Sequence, residues 1–276
     1  KGEKAIDGAG VHLVRVLGNS TRDIYDPFLM LDAFDSKDKR DYSAGFPMHP
    51  HRGIETVSFL CRGEMTHRDH LGTEATIYDG EAQWLTAGSG AEHEEMPGGE
   101  RILGTQLWLN LPAKYKMSAP PAYHSISKRE IKEFEFKGGR LRLITGKYED
   151  EEGWQGKYLP LDFYDIHLED NASVEIPVRE GLSAFAFTLR GEVIISGKNV
   201  EEKTAAKLGD GDRVLLETKN NKAEILIYAS KRLDEPVAWF GPIVMNTEAE
   251  IRQAFEELNN GTFIKENADY GNEVLE

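Results

Sequence analysis

Two stretches decide the fold: FLCRGEMTHRD at Phe59–Asp69 and FTLRGEVIISG at Phe187–Gly197. In each, a run of apolar and β-branched residues reaches an Arg-Gly-Glu step and resumes beyond it, the pattern of two short strands joined at a glycine turn. A second turn follows in both places, within YDGEAQWLTAG (Tyr78–Gly88) and LGDGDRVLLET (Leu208–Thr218), and leads into another strand. The repetition predicts duplicated β-barrel units. Further short segments such as VHLVRVL (Val11–Leu17), LRLITG (Leu141–Gly146) and AEILIYAS (Ala223–Ser230) extend the pattern, so an all-β fold is expected. The polar, glycine-containing KYEDEEGWQGKY (Lys147–Tyr158) lies between the strand-rich halves and sets an expected division into residues 1–146 and 147–276. Helix is expected only near the end. In TEAEIRQAFEELNNG, Thr247 is placed to cap, Glu250 to complete the capping box, and Gly261 to stop a helix whose apolar stripe is Ile251, Ala254, Phe255 and Leu258.

Composition narrows the function. A net charge of -15, from 48 acidic and 33 basic residues, argues against direct nucleic-acid binding, which needs a concentrated basic face. Small molecules or proteins are the expected partners. The single cysteine, Cys61, excludes an intrachain disulfide framework and suits a reducing compartment, so the cytosol is expected, with the nucleus open to a eukaryotic member. No apolar run approaches the roughly 20 residues that span a bilayer, and KGEKAIDGAG lacks a signal-peptide core.

Histidines distinguish the halves. His49, His51, His67, His70, His93 and His124 fall in the first half, whereas the second holds only His167. Residues two apart on a strand share a face, so His49 and His51 project together across Pro50. After a glycine-rich turn, His93 and Glu95 repeat the spacing in AGSGAEHEEMP (Ala87–Pro97). Two such pairs on adjacent strands would offer three nitrogens and one carboxylate oxygen, a donor set for iron(II), nickel, manganese, cobalt or zinc with positions left open. An isolated His-x-His is more often a polar surface pair, and the recurrence of the spacing is what favours metal. His67 and His70, in THRDHLG (Thr66–Gly72), would join the set only if their turn faced the same pocket; a solvated loop is the simpler expectation. Glu55, four residues after His51, is expected on the same face as a partner for an imidazole, or else as an exposed strand carboxylate.

HPHRGIETVSFL (His49–Leu60), QWLTAGSGAEHEEMP (Gln83–Pro97), QLWLNLP (Gln106–Pro112) and GPIVMNTEAEIRQAF (Gly241–Phe255) resemble, in order, the signature blocks of the pirin family. The resemblance implies two stacked β-barrels of the cupin type, the first holding one divalent metal, iron(II) before the alternatives, and the second metal-free. It carries the ligands over to His49, His51, His93 and Glu95, and gives no ligand role to His67 or His70. It implies two activities of different class. One is quercetin 2,3-dioxygenase activity, in which dioxygen opens the flavonol ring with release of carbon monoxide and Glu95 takes the 3-hydroxyl proton. The other is an iron-dependent, redox-sensing protein-interaction module acting as a transcriptional or metabolic co-regulator. For a flavonol, Phe46, Met96, Leu107, Trp108 and Leu109 are candidates for an apolar wall, each with an ordinary core role as the alternative. Met48 stands where many family members carry a small polar or acidic residue, which bears on the pocket mouth.

Overall fold

The computed structural model describes residues 1–265. It forms the expected all-β architecture of two cupin-type barrels with a short C-terminal helix. Strands Glu3–Asp7, Val11–Leu17, Phe28–Ser36, Ala91–Asn110, Ile54–Asp69, Ala82–Thr86 and Ala122–Ile126 hydrogen-bond in that order, while Phe46–His51 adds to Ala91–Asn110 and Glu74–Ile77 to Ile54–Asp69. In the second barrel, a six-stranded sheet centred on Leu161–Leu168 and Ala223–Ser230 and a four-stranded sheet centred on Arg213–Glu217 enclose Leu141, Tyr164, Ile166, Val193, Leu216 and Ile225. Sheet membership changes between Ile126 and Lys132. Strands Lys132–Phe136 and Gly139–Thr145, upstream of the expected division at 146/147, therefore pair with the second set.

The opening stretch behaves differently in the two barrels. FTLRGEVIISG forms two strands, Ser183–Arg190 and Val193–Ile195, separated at Gly191, whose φ of 76° suits glycine. FLCRGEMTHRD, in contrast, lies within one 16-residue strand, Ile54–Asp69, so the strand-turn-strand expectation is corrected there. The register slips at Leu60/Arg62 and again at Arg62/Glu64, a bulge at Gly63 (φ 110°), where an added Cβ would lie 2.4 Å from the Arg101 carbonyl oxygen. A bulge resets side-chain alternation. Before it, Val57, Phe59 and Cys61 face the core shared by the two barrels, and Leu60 the interior; beyond it, Met65 joins Leu60. His67 and Asp69, in phase with Met65, therefore turn inward.

Between the barrels Phe59, Phe163, Phe185 and Tyr228 pack in one buried cluster, with Phe163 and Tyr228 stacked at 4.4 Å. The end of the chain returns to the first barrel. Hairpin Ala238–Phe240/Ile243–Met245 buries Val244 against Leu29, Ile54 and Trp108, and helix Glu248–Asn260 packs Ile251 and Ala254 onto the hairpin. The helix has its capping box, with Thr247 N–H donating to Glu250 Oε2 at 2.8 Å and Glu250 N–H to Thr247 Oγ1 at 3.3 Å, and ends at left-handed Gly261. Two buried cations fasten this segment. Arg52 donates to Ser89 O, Glu257 Oε2 and Phe263 O, and Lys116 Nζ donates to Gly53 O, Asn110 Oδ1 and Val244 O. Among the described residues no helix is long and apolar enough to cross a membrane.

Candidate metal centre

Strand Ala91–Asn110 is flanked by Phe46–His51 on one side and the inward-turned end of Ile54–Asp69 on the other. His93 lies directly opposite both His49 and Asp69, and Glu95 opposite His67. One ring nitrogen from each of His49, His51 and His93 lies within 4.8 Å of the others. His51 and His93 are buried, and His49 is half-exposed at the rim.

Hydrogen bonds fix which nitrogen each ring offers. Carbonyl oxygens only accept, so His49 Nδ1–H donates to Pro47 O (2.8 Å) and His51 Nδ1–H to Pro242 O (3.0 Å). Each neutral ring has then spent its proton, and the two Nε2 atoms face each other at 3.0 Å lone pair to lone pair. On the far side, His67 Nε2–H donates to Asp69 Oδ2 (2.8 Å), which leaves His67 Nδ1 to accept from His93 Nδ1–H at 3.4 Å. His93 Nε2 is buried without a partner. Three lone pairs thus converge, an arrangement that repels itself unless a cation lies among them. Burial and the neighbouring His49 push His51 down to about 3, and burial with the other imidazoles holds His93 well below the ordinary histidine range, so these two rings are neutral donors at physiological pH. The donor set fits a borderline divalent ion.

Glu95 is buried two residues beyond His93, but its carboxylate is not in the 4.8 Å group of imidazole nitrogens. It accepts from Ser58 Oγ (3.1 Å) and Gln83 Nε2 (2.7 Å) at Oε1, and from Gln106 Nε2 (2.5 Å) at Oε2. Of about four lone-pair positions on a carboxylate, three are taken and one remains. Ser58, Gln83 and Gln106 lie abreast on three adjacent strands and form a polar row. Spacing did not select these residues. Their one signal was the recurrence of a glutamine in otherwise apolar strands, AQWLT and GTQLWLN. Tyr123 was also missed; its ring stacks on His67 at 4.1 Å and its hydroxyl donates to Gln83 Oε1.

His67 is buried and not on a solvated loop; it stands behind His93 as its hydrogen-bond acceptor, outside the converging nitrogens as the resemblance implied. His70 Nδ1 accepts the Glu92 backbone N–H and braces the turn after Asp69. Glu55 does not touch an imidazole: Gly53 (φ 80°) breaks the strand between His51 and Ile54, so counting by twos across it fails. The Glu55 carboxylate instead accepts from Trp84 Nε1 (3.0 Å) and Thr86 Oγ1 (2.7 Å), with Oε2 unpartnered. Leu107 and Leu109 face the inter-barrel core. Phe46 packs on Phe34. Trp108 does border the cage, its ring 5.0 Å from His51 and 5.8 Å from Trp239. Met48 is 51 % exposed at the rim strand.

Two predictions follow from this geometry. His67→Phe keeps the stack with Tyr123 but removes the acceptor that sets the His93 tautomer; divalent-metal affinity should fall about 10–100-fold, and an unchanged affinity by calorimetry would remove His67 from the centre. Glu55 is the second case. Burial raises it to about 7 from an ordinary 4.5, so the folded state favours its protonated form. Its contribution to stability is complete below about pH 4.5 and is lost as the pH rises to 7, a cost of roughly 3 kcal/mol at about 1.4 kcal/mol per pH unit. Glu55→Gln should flatten the fall in denaturation midpoint between pH 5 and pH 8, and a parallel fall in both proteins would contradict the assignment.

A family model described as Pirin matches residues 10–109, and one described as Pirin C-terminal cupin domain matches residues 163–264. A pirin-like protein of Caulobacter vibrioides is 39% identical over 95% of this chain and 96% of its own. The chain belongs to the pirin family. A Pseudomonas aeruginosa protein provisionally named quercetin 2,3-dioxygenase is 38% identical over 94% of each chain. The crystal structure of quercetin 2,3-dioxygenase from Acinetobacter baumannii superposes with a TM-score of 0.85 at 32% identity, covering 95% of this chain and 94% of that one. The Pirin match spans His49, His51, His93 and Glu95, and the C-terminal match spans Pro242, whose carbonyl oxygen accepts from His51.

Proposed function

We propose that this pirin is a metal-dependent flavonol 2,3-dioxygenase of the quercetinase type. The observation that carries the reading is the convergence of three imidazole lone pairs, one of them buried without a partner, beside a carboxylate with one lone pair left. His49, His51, His93 and Glu95 would hold one divalent ion, with iron(II) expected and nickel, manganese, cobalt or zinc compatible with the donors. A bound ion would supply Lewis acidity toward the flavonol oxygen and toward dioxygen. The chain supplies the rest. Pro47 O, Pro242 O and the Asp69–His67 pair hold the rings in the ligating tautomer, and Ser58, Gln83 and Gln106 hold the Glu95 carboxylate. Its remaining lone pair would serve either the ion or the 3-hydroxyl proton. Trp108 and Trp239 offer flat apolar faces to a planar aromatic substrate.

Anaerobic quercetin binding tests this before any turnover. Metal-loaded protein should shift the flavonol absorption to longer wavelength, as deprotonation of the 3-hydroxyl does, and the His49→Ala, His93→Ala variant should not. A shift of equal size in both would detach the flavonol from the cage. No shift in either would favour the family's other mode, a redox-sensing interaction module.

A further inference from the structure

Where the barrels meet, within hydrogen-bond reach of Cys61 on strand Ile54–Asp69, three more donors converge. Asp165 and His167 lie on strand Leu161–Leu168, and Glu224 lies directly across from His167 on Ala223–Ser230. All three fall on the face that carries Phe163, Leu226 and Tyr228 into the inter-barrel core, not on the face that fills the second barrel. One ligand atom from each lies within 4.8 Å of the others. Asp165 is 1% and Glu224 5% exposed, and each has an oxygen with no partner, Asp165 Oδ1 and Glu224 Oε1. Leaving two buried carboxylate oxygens unsatisfied is costly, and backbone ladders cannot repair it.

We propose that Asp165, His167 and Glu224 form a second divalent-cation site at the junction of the barrels. One nitrogen and two carboxylate oxygens suit zinc or a neighbouring first-row ion. A cleft of about 450 Å³ reaches Asp165 and His167 and is lined besides by Arg62, Lys128, Arg140, Asp79 and Glu133, so an ion there would have access from solvent. Asp165 Oδ2 accepts from Arg142 Nη1 (3.1 Å) and His167 Nε2–H (2.9 Å), and Glu224 Oε2 accepts from the Cys61 thiol (3.2 Å), so the free oxygens are the other pair, and an ion would take His167 through its unprotonated nitrogen or replace the proton shared with Asp165. With His167 neutral, as a ligand must be, the two carboxylates and Arg142 sum to a charge of -1, which a divalent ion would turn to +1. The site is independent of the flavonol reading.

Zinc stoichiometry after dialysis decides it. The protein should hold two equivalents and the His49→Ala, His93→Ala variant one; adding His167→Gln or Glu224→Gln to that variant should weaken the retained equivalent at least tenfold. His167 is 31% exposed, so His167→Gln in the otherwise intact chain gives the same answer without disturbing the first cage: two equivalents should become one. A wild-type protein that saturates at one equivalent, or a second equivalent indifferent to His167→Gln and Glu224→Gln, overturns the proposal.

Discussion

Arg52→Ala should cost about 3–5 kcal/mol of stability, the scale on which breaking a buried ion pair leaves its partners unmatched. The side chain is 1% exposed and makes three hydrogen bonds: Nε to Ser89 O at 2.7 Å, and Nη2 to Glu257 Oε2 at 2.6 Å and Phe263 O at 2.9 Å. Its guanidinium also lies 4.2 Å from the Phe263 ring centroid. Arg52 is one residue from His51 and pins the helix that follows Pro242, the residue whose carbonyl sets the His51 tautomer. Loss of stability should therefore come with loss of metal affinity, and proteolysis should open the segment Lys231–Val237 before the barrels. A variant that unfolds at the wild-type denaturant concentration and binds metal normally would show that the C-terminal segment does not support the cage.

Glu95→Gln should weaken metal binding by more than the 10–100-fold expected for an outer hydrogen-bond partner. The substitution removes the negative charge and presents an amide to three donors. If its NH₂ faces the Gln83 amide, donor meets donor; if it faces Gln106, the same conflict arises there. Isosteric shape cannot restore either bond. Titration of the ion by calorimetry separates this from a role in proton transfer alone, which would leave affinity intact and lower only turnover.

The two same-face pairs were legible in the sequence because both lie on uninterrupted strand segments, where counting by twos holds: His49 with His51, and His93 with Glu95. It failed where glycine interrupts the count. Gly53 separates Glu55 from the phase of His51, and the bulge at Gly63 turns His67 and Asp69 inward from what looked like a solvated loop. The C-terminal helix was legible through local chemistry, a capping box and a terminal glycine. Its destination was not, because Arg52 and Glu257 meet across 205 positions and no local pattern records such a pairing. The Asp165–His167–Glu224 cluster likewise depends on two strands brought together by the second barrel; His167 alone carried no signal.

The central claim, flavonol ring opening at the cage, is tested most directly by oxygen-dependent quercetin consumption with carbon monoxide measured in parallel. Protein loaded anaerobically with iron(II), nickel, cobalt or manganese should bleach the flavonol on admission of oxygen with one carbon monoxide released per quercetin, and the His49→Ala, His93→Ala variant should not. Absence of turnover with every ion, or equal turnover in the variant, would contradict it.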